Sequence, residues 1–167
     1  MIIRLITIFF LNLLLGCFYL NPVFALEHSQ RDGLLSMDIP KDWHWEEFSQ
    51  EIVITYPDGQ SAAIDIQWLP NHLISLDDIK KTLKEGNERM IKEGIEPHQG
   101  KLIENKEITI DGVYATELEF KSGPDNPVDV SYISFINKGN AFTITYGSRD
   151  ENMRLLMDDA VSTIKFN

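Results

Sequence analysis

The chain has 167 residues, 43% of them hydrophobic, and a formal net charge of −11. This is one domain's worth of chain with enough apolar residues for a core of its own. So acidic a surface repels the phosphates of nucleic acid and of anionic lipid, which excludes nucleic acid as a partner and leaves basic partners and weak cation binding.

The first element is not part of that domain. Met1–Arg4 carries one positive charge, Leu5–Leu20 is almost wholly apolar, and Asn21-Pro22 breaks the run. Val23 and Ala25 then place small residues at −3 and −1 of a cut. This is the pattern of a secretory signal peptide over residues 1–25, and it predicts a periplasmic or secreted protein. Loss of Arg4 makes the mature chain one unit more negative. The one cysteine, Cys17, lies inside the apolar run, so a chain cut after Ala25 has neither disulfides nor thiol chemistry. A rival reading uses Cys17. Leu14-Leu15-Gly16-Cys17 resembles the lipobox of bacterial lipoproteins, which would acylate Cys17 and tether the protein to a membrane. Leu15 stands where a smaller residue is usual, and the following Phe18-Tyr19-Leu20 is apolar where tethers are polar.

Residues 26–33 read as a polar, flexible lead, and 34–167 as a single domain. Leu34–Ile39 alternates, with Leu35, Met37 and Ile39 on one face, and predicts a half-buried strand. Pro40-Lys41-Asp42 ends it. Glu51–Tyr56 and Ala63–Leu69 are strands joined through the Pro57-Asp58-Gly59 turn, with Ile64, Ile66 and Trp68 facing one way. Ser75 caps a helix, with Asp78 completing a capping box and Ile74 and Ile79 at the staple positions. Leu76, Ile79, Leu83 and Met90 form its apolar face, Gly86 weakens its middle, and Gly94 and Pro97 end it. Asp111-Gly112 joins strands Lys101–Ile110 and Val113–Lys121 in a hairpin, with Tyr114, Thr116, Leu118 and Phe120 on one face. After the loop Ser122–Pro127, Lys138-Gly139-Asn140 joins Val128–Asn137 to Ala141–Tyr146. Ser148 and Glu151 form a second capping box, ahead of a helix whose face is Met153, Leu156, Met157, Ala160, Val161 and Ile164.

Tight turns make consecutive strands antiparallel, and two amphipathic helices then cover a sheet. The pattern also resembles that of PsbP-like domains. The residues that carry the resemblance are GLLSMDIPKDWHW near residue 34, ISLDDIKKTL from Ile74, ITIDGVYATELEF around the Asp111 turn, and AFTITYGSRDENMRLLMDDAVSTIKF at the end. They run in order from Leu34 to Phe166. The resemblance implies an α+β fold, an α/β/α sandwich on a central antiparallel sheet of six to seven strands with two main helices. Its relatives include an extrinsic photosystem II subunit, bacterial periplasmic DcrB-like proteins and a Ran-binding nuclear protein. None is characteristically an enzyme, so the resemblance implies an accessory or binding role. No functional residue of the family can be placed on this chain.

Chemical motifs compete poorly with plainer readings. His28, His44, His72 and His98 lack a zinc-binding spacing, although His44 stands near Glu46 and Glu47, and His72 near Asp77 and Asp78. The pairs Glu46-Glu47, Asp77-Asp78 and Asp158-Asp159 could supply an acid and a base for glycoside hydrolysis, but neighbours on a helix point apart. Asp125, Asn126 and Asp129 offer oxygens without the order of an EF-hand. Ser148 follows Gly147 without the G-x-S-x-G elbow, and its cap role accounts for it. Trp43, Trp45 and Trp68 near Tyr56 could form a docking platform, against a plainer assignment of Trp43 and Trp68 to the core with Trp45 partly exposed.

The sequence therefore predicts an exported, monomeric, non-catalytic accessory protein that needs no cofactor or metal and binds a protein partner. The partner-binding residues it singles out are Trp45, Glu46, Glu47, Asp125 and Asp129, with Cys17 as the lipidation site of the tethered alternative. The remaining alternative is a periplasmic hydrolase whose carboxylate pair the fold assembles.

Overall fold

The computed structural model describes residues 26–31, 34–59, 62–73, 75–125 and 127–167. Residues 1–25, expected as a signal peptide, with Cys17 among them, and Ile74 and Asn126 lie outside the described residues.

A seven-stranded antiparallel sheet forms the centre. Its strands are β3 (His44–Glu47), β4 (Glu51–Thr55), β5 (Ala62–Pro70), β6 (Lys101–Ile110), β7 (Val113–Lys121), β8 (Asp129–Asn137) and β9 (Asn140–Ser148). Their order across the sheet is β3-β4-β5-β9-β8-β7-β6. A smaller antiparallel sheet holds β1 (Leu26–Arg31), β2 (Leu35–Pro40) and β10 (Lys165–Phe166) in the order β1-β2-β10. Helix α1 (Leu76–Arg89) packs on β7 and β8, while α2 (Glu151–Ser162) packs on the opposite face against β5, β9 and β2. The architecture is the expected α+β sandwich on a central antiparallel sheet with two main helices.

The turns fix the register. Asp111 and Gly112 both adopt positive φ, 48° and 78°, as do Lys138 and Gly139 at 45° and 79°. This is the two-residue hairpin geometry whose twist matches that of the strands. Ile110 therefore faces Val113, and Asn137 faces Asn140. On the α2 side the alternating residues Ile52, Ile54, Ile64, Ile66, Ile133, Phe135, Phe142 and Ile144 are buried, together with Leu35, Met37, Met157, Ala160 and Ile164. The α1 side carries a smaller cluster of Ile95, Leu118 and Phe120.

The structure departs from the sequence reading where an element is too short or too polar to show a period. The Leu34–Ile39 strand leaves the central sheet and forms the small one. Its partner β1 comes from residues expected as a flexible lead: the backbone of Leu26–Arg31 pairs with Leu35–Pro40, a pairing that needs no apolar pattern. The central sheet gains β3 instead, four residues held against β4. Ser148 is not the cap of α2. Asp150 is, its Oδ1 accepting from the N–H groups of Asn152 at 2.8 Å and Met153 at 3.2 Å. Ser148 Oγ accepts from Asp150 N at 3.0 Å and shapes the entry.

Ser75 caps α1 as expected, Oγ accepting from Asp78 N at 3.4 Å. Leu76, however, is 55% exposed, whereas Asn87 is buried. The chain also does not stop at Gly94. It continues as a π-helical turn, Met90–Ile95, and a 3-10 turn, Glu96–His98, before Gln99 ends it in the left-handed region at φ 57°. Pro97 sits in the first turn of the 3-10 segment, where its missing N–H does no harm.

Candidate functional site

The residues singled out in the sequence do not gather in one place. Trp45 is half-buried against the main core, and its Nε1 donates to Glu47 Oε1 at 2.9 Å. Glu46 and Glu47 are exposed on β3, at one edge of the sheet, and alternate between its two faces. Asp129 opens β8, four strands further across, and pairs with Lys121 Nζ at 2.7 Å. Asp125 is exposed in the preceding loop. Trp43 and Trp68 are buried, and Trp43 meets Tyr56 edge-on at 5.8 Å within the core rather than on a platform. His44, His72 and His98 are exposed. Among the described residues no three His, Cys, Asp or Glu side chains converge on a point that could hold a metal ion.

The structure assembles a different constellation beneath α2. The face of β7 that carries Ala115 continues with Glu117 and Glu119. Hairpin register puts Lys106 opposite Glu117 and Glu104 opposite Glu119. Lys106 Nζ consequently lies 3.1 Å from Glu104 and 3.3 Å from Glu117, and donates to Glu119. Glu117 is buried, and its Oε1 accepts from Ser131 Oγ on β8 at 2.7 Å. From above, Arg154 of α2 donates to Ser131 Oγ and, through Nε, to Asp158 Oδ1 at 3.1 Å, one turn along the helix. Its guanidinium lies 4.9 Å over the Tyr146 ring, a cation–π contact. Asp159 is exposed while Asp158 faces inward, as neighbours on a helix must.

The electrostatics reinforce the pairing. The Glu119 carboxylate bonded to Lys106 holds that ammonium above its ordinary range, against the opposing pull of burial. Burial is the largest influence on Arg154 and opposes its charge, but Asp158, Tyr146 and Glu119 together outweigh it, so the guanidinium is pushed further up. Tyr146 is raised by burial first and then by Asp158. Four carboxylates, Glu104, Glu117, Glu119 and Asp158, thus face two cations, and the assembly is negative.

Two clefts flank the Arg154–Asp158 bridge. One, about 240 Å3, lies between the Asp111 hairpin and the end of α2, lined by Ile110, Asp111, Glu117, Tyr146, Asp158 and Ser162 among others. The other, about 400 Å3, lies on the far side, where Ile103 and Leu155 meet Glu119, Asp129, Glu151 and Asp158. Of the expected partner-binding residues, Asp129 lines this site, and Asp158, weighed in the sequence as half of an acidic pair, lines both clefts. Part of the rest had a sequence signal. A two-residue turn at Asp111-Gly112 dictates that Lys106 faces Glu117, and Arg154 and Asp158 have helical i,i+4 spacing. What no local pattern revealed is that α2 settles over β5 and β9 with Arg154 reaching Ser131 of β8.

No protein-family model matches the chain, and no curated protein matches it in sequence. Solved structures do. The cyanobacterial PsbP (CyanoP) of Synechocystis sp. PCC 6803 superposes with a TM-score of 0.63 at 14% identity, covering 87% of this chain and 94% of that one. Protein PA94 of Pseudomonas aeruginosa, described as a protein of unknown function and putative regulator, gives 0.55 at 13%, covering 83% and 94%. Likeness at these identities speaks of architecture, and over nearly its whole described length the chain has the PsbP-like fold.

Proposed function

We propose that this protein is an exported, non-catalytic accessory protein that binds a basic macromolecular partner through its acidic surface. The observation that carries the reading is how the charges beneath α2 are paired. Lys106 and Arg154 are each held by carboxylates, and the shifts on Lys106 and Tyr146 move them away from neutrality. A general acid or base works best with a pKa near the operating pH. This arrangement favours rigidity over proton transfer, while leaving unneutralised negative charge at the surface to steer a cationic partner. Glu46 and Glu47 at one edge and Asp125 and Asp129 towards the other extend that acidic surface. The signal-peptide pattern of residues 1–25 supports export, and no helix among the described residues is long and apolar enough to cross a membrane. The non-enzymatic relatives implied by the PsbP-like resemblance support the accessory role, although a shared fold does not transmit a function.

Calorimetric titration with a lysine-rich peptide, beside a hydrolase substrate panel, tests the reading. Binding that weakens as salt rises, with no turnover, is expected. Turnover that disappears in Glu117→Gln would overturn it.

A further inference from the structure

The two clefts beside Arg154 differ in chemistry. The smaller falls below the volume of ordinary ligand sites, roughly 300–1,000 Å3, and the 400 Å3 cleft falls within it. The larger also has two apolar jaws. Leu155 projects from α2 with 56% of its surface exposed, and Ile103 projects from β6 with 53% exposed. Neither exposure follows from amphipathic patterning alone. Ile103 is the extra residue of a β-bulge: Leu102 pairs with Phe120 and Glu104 with Glu119, so Ile103 has no counterpart. Bulges on edge strands re-aim side chains, and this one sends an isoleucine to the mouth of a cleft. Between the jaws the floor is the backbone of Phe120 and Val130, whose side chains turn to the α1 side. Around them stand Glu119, Asp129, Glu151 and Asp158, against Lys121 and Arg154, which are already paired with Asp129 and Asp158. The cleft is thus apolar at its jaws and net negative at its rim.

We infer that this cleft is the docking site for a protein segment that presents one large apolar side chain between lysines or arginines. The inference rests on the accessory reading above and locates it. The apolar side chain enters between Leu155 and Ile103, and its basic neighbours meet Glu119, Glu151 and Asp158. Charge complementarity selects this occupant. A second copy of a chain with net charge −11 would bring like charge to the rim, and an anionic lipid surface or nucleic acid would do the same.

The test uses the exported protein, isotopically labelled for NMR, and two probes: a short lysine–glycine peptide with one central phenylalanine, and the same peptide with alanine there. The phenylalanine peptide should bind roughly tenfold more tightly, as expected of a buried aromatic anchor. Its shifts should centre on Ile103 and Leu155 and on the backbone amides of Glu119, Phe120 and Val130. Leu155→Ser and Ile103→Ser should each remove the advantage, while Leu76→Ser, which alters an equally exposed leucine on α1, should not. Salt-sensitive binding of both peptides with no phenylalanine advantage would overturn the docking site and leave the accessory reading standing. Binding of neither would overturn both. Concentration-dependent dimerisation in sedimentation, abolished by Leu155→Ser, would overturn the inference by making a second copy the occupant.

Discussion

Two carboxylates, Asp65 and Asp111, show how placement decides what a charge does. Asp65 of β5 has its pKa raised, by burial first and then by Glu51; Gln67 Nε2 donates to its Oδ2 at 3.0 Å, and its Oδ1 has no hydrogen-bond partner among the described residues. A carboxylate whose folded pKa is raised removes stability as pH climbs through that value. Asp65→Asn is therefore expected to raise the melting temperature at neutral pH, by a fraction of a kcal/mol because the site is partly solvated. The gain should vanish once pH falls below the ordinary carboxylate range. Asp111 behaves oppositely. Its carboxylate accepts from Phe166 N at 3.0 Å and pairs with Lys165 Nζ at 3.1 Å, and both hold its pKa down. Its contribution to stability is full above the ordinary range and lost as pH falls through the depressed value. Asp111→Asn keeps a residue that tolerates positive φ but loses the charge. It should lower the melting temperature at neutral pH, with a difference that shrinks in acid, as thermal melts across pH would show.

At the scale of elements, the structure separates exposed from buried apolar residues within single helices and strands. Ile64→Ala and Phe120→Ala should each cost about 2–5 kcal/mol, since both side chains are buried, one in each apolar cluster. Leu76→Ala should cost under about 1 kcal/mol in the same denaturant titrations, because the residue is largely exposed at the first turn of α1. Comparable losses at all three positions would mean that the inward face of α1 is wrongly placed. The sequence placed Leu76 on that face because helical spacing cannot say how far a helix end overhangs the sheet. It missed Asn87 for the converse reason. A buried asparagine breaks an apolar stripe, yet here Asn87 Nδ2 donates to Asn105 Oδ1 at 3.2 Å and its Oδ1 accepts from Thr116 Oγ1 at 3.4 Å.

For the molecule as a whole, the hairpins and both main helices were legible because turn chemistry and periodicity are local. The order β3-β4-β5-β9-β8-β7-β6 was not, since β5 meets β9 across an intervening helix and three strands. The small sheet was also hidden: it joins residues near both ends of the described chain, with Phe166 opposite Leu35. The charged assembly beneath α2 depends on that long-range placement, and so none of the partner-binding residues expected from the sequence belongs to it, while Asp158, weighed there as half of an acidic pair, does. The accessory role assigned to the acidic surface makes a kinetic statement about the entire molecule. Electrostatic steering acts on association and is screened over a Debye length of ~10 Å at 0.1 M salt, while dissociation is governed by close contacts. Stopped-flow association of a lysine-rich probe protein across a salt series tests this most directly. The account predicts an association rate that falls steeply as salt rises, with a dissociation rate that changes little; an association rate indifferent to salt, or raised by it, would contradict it.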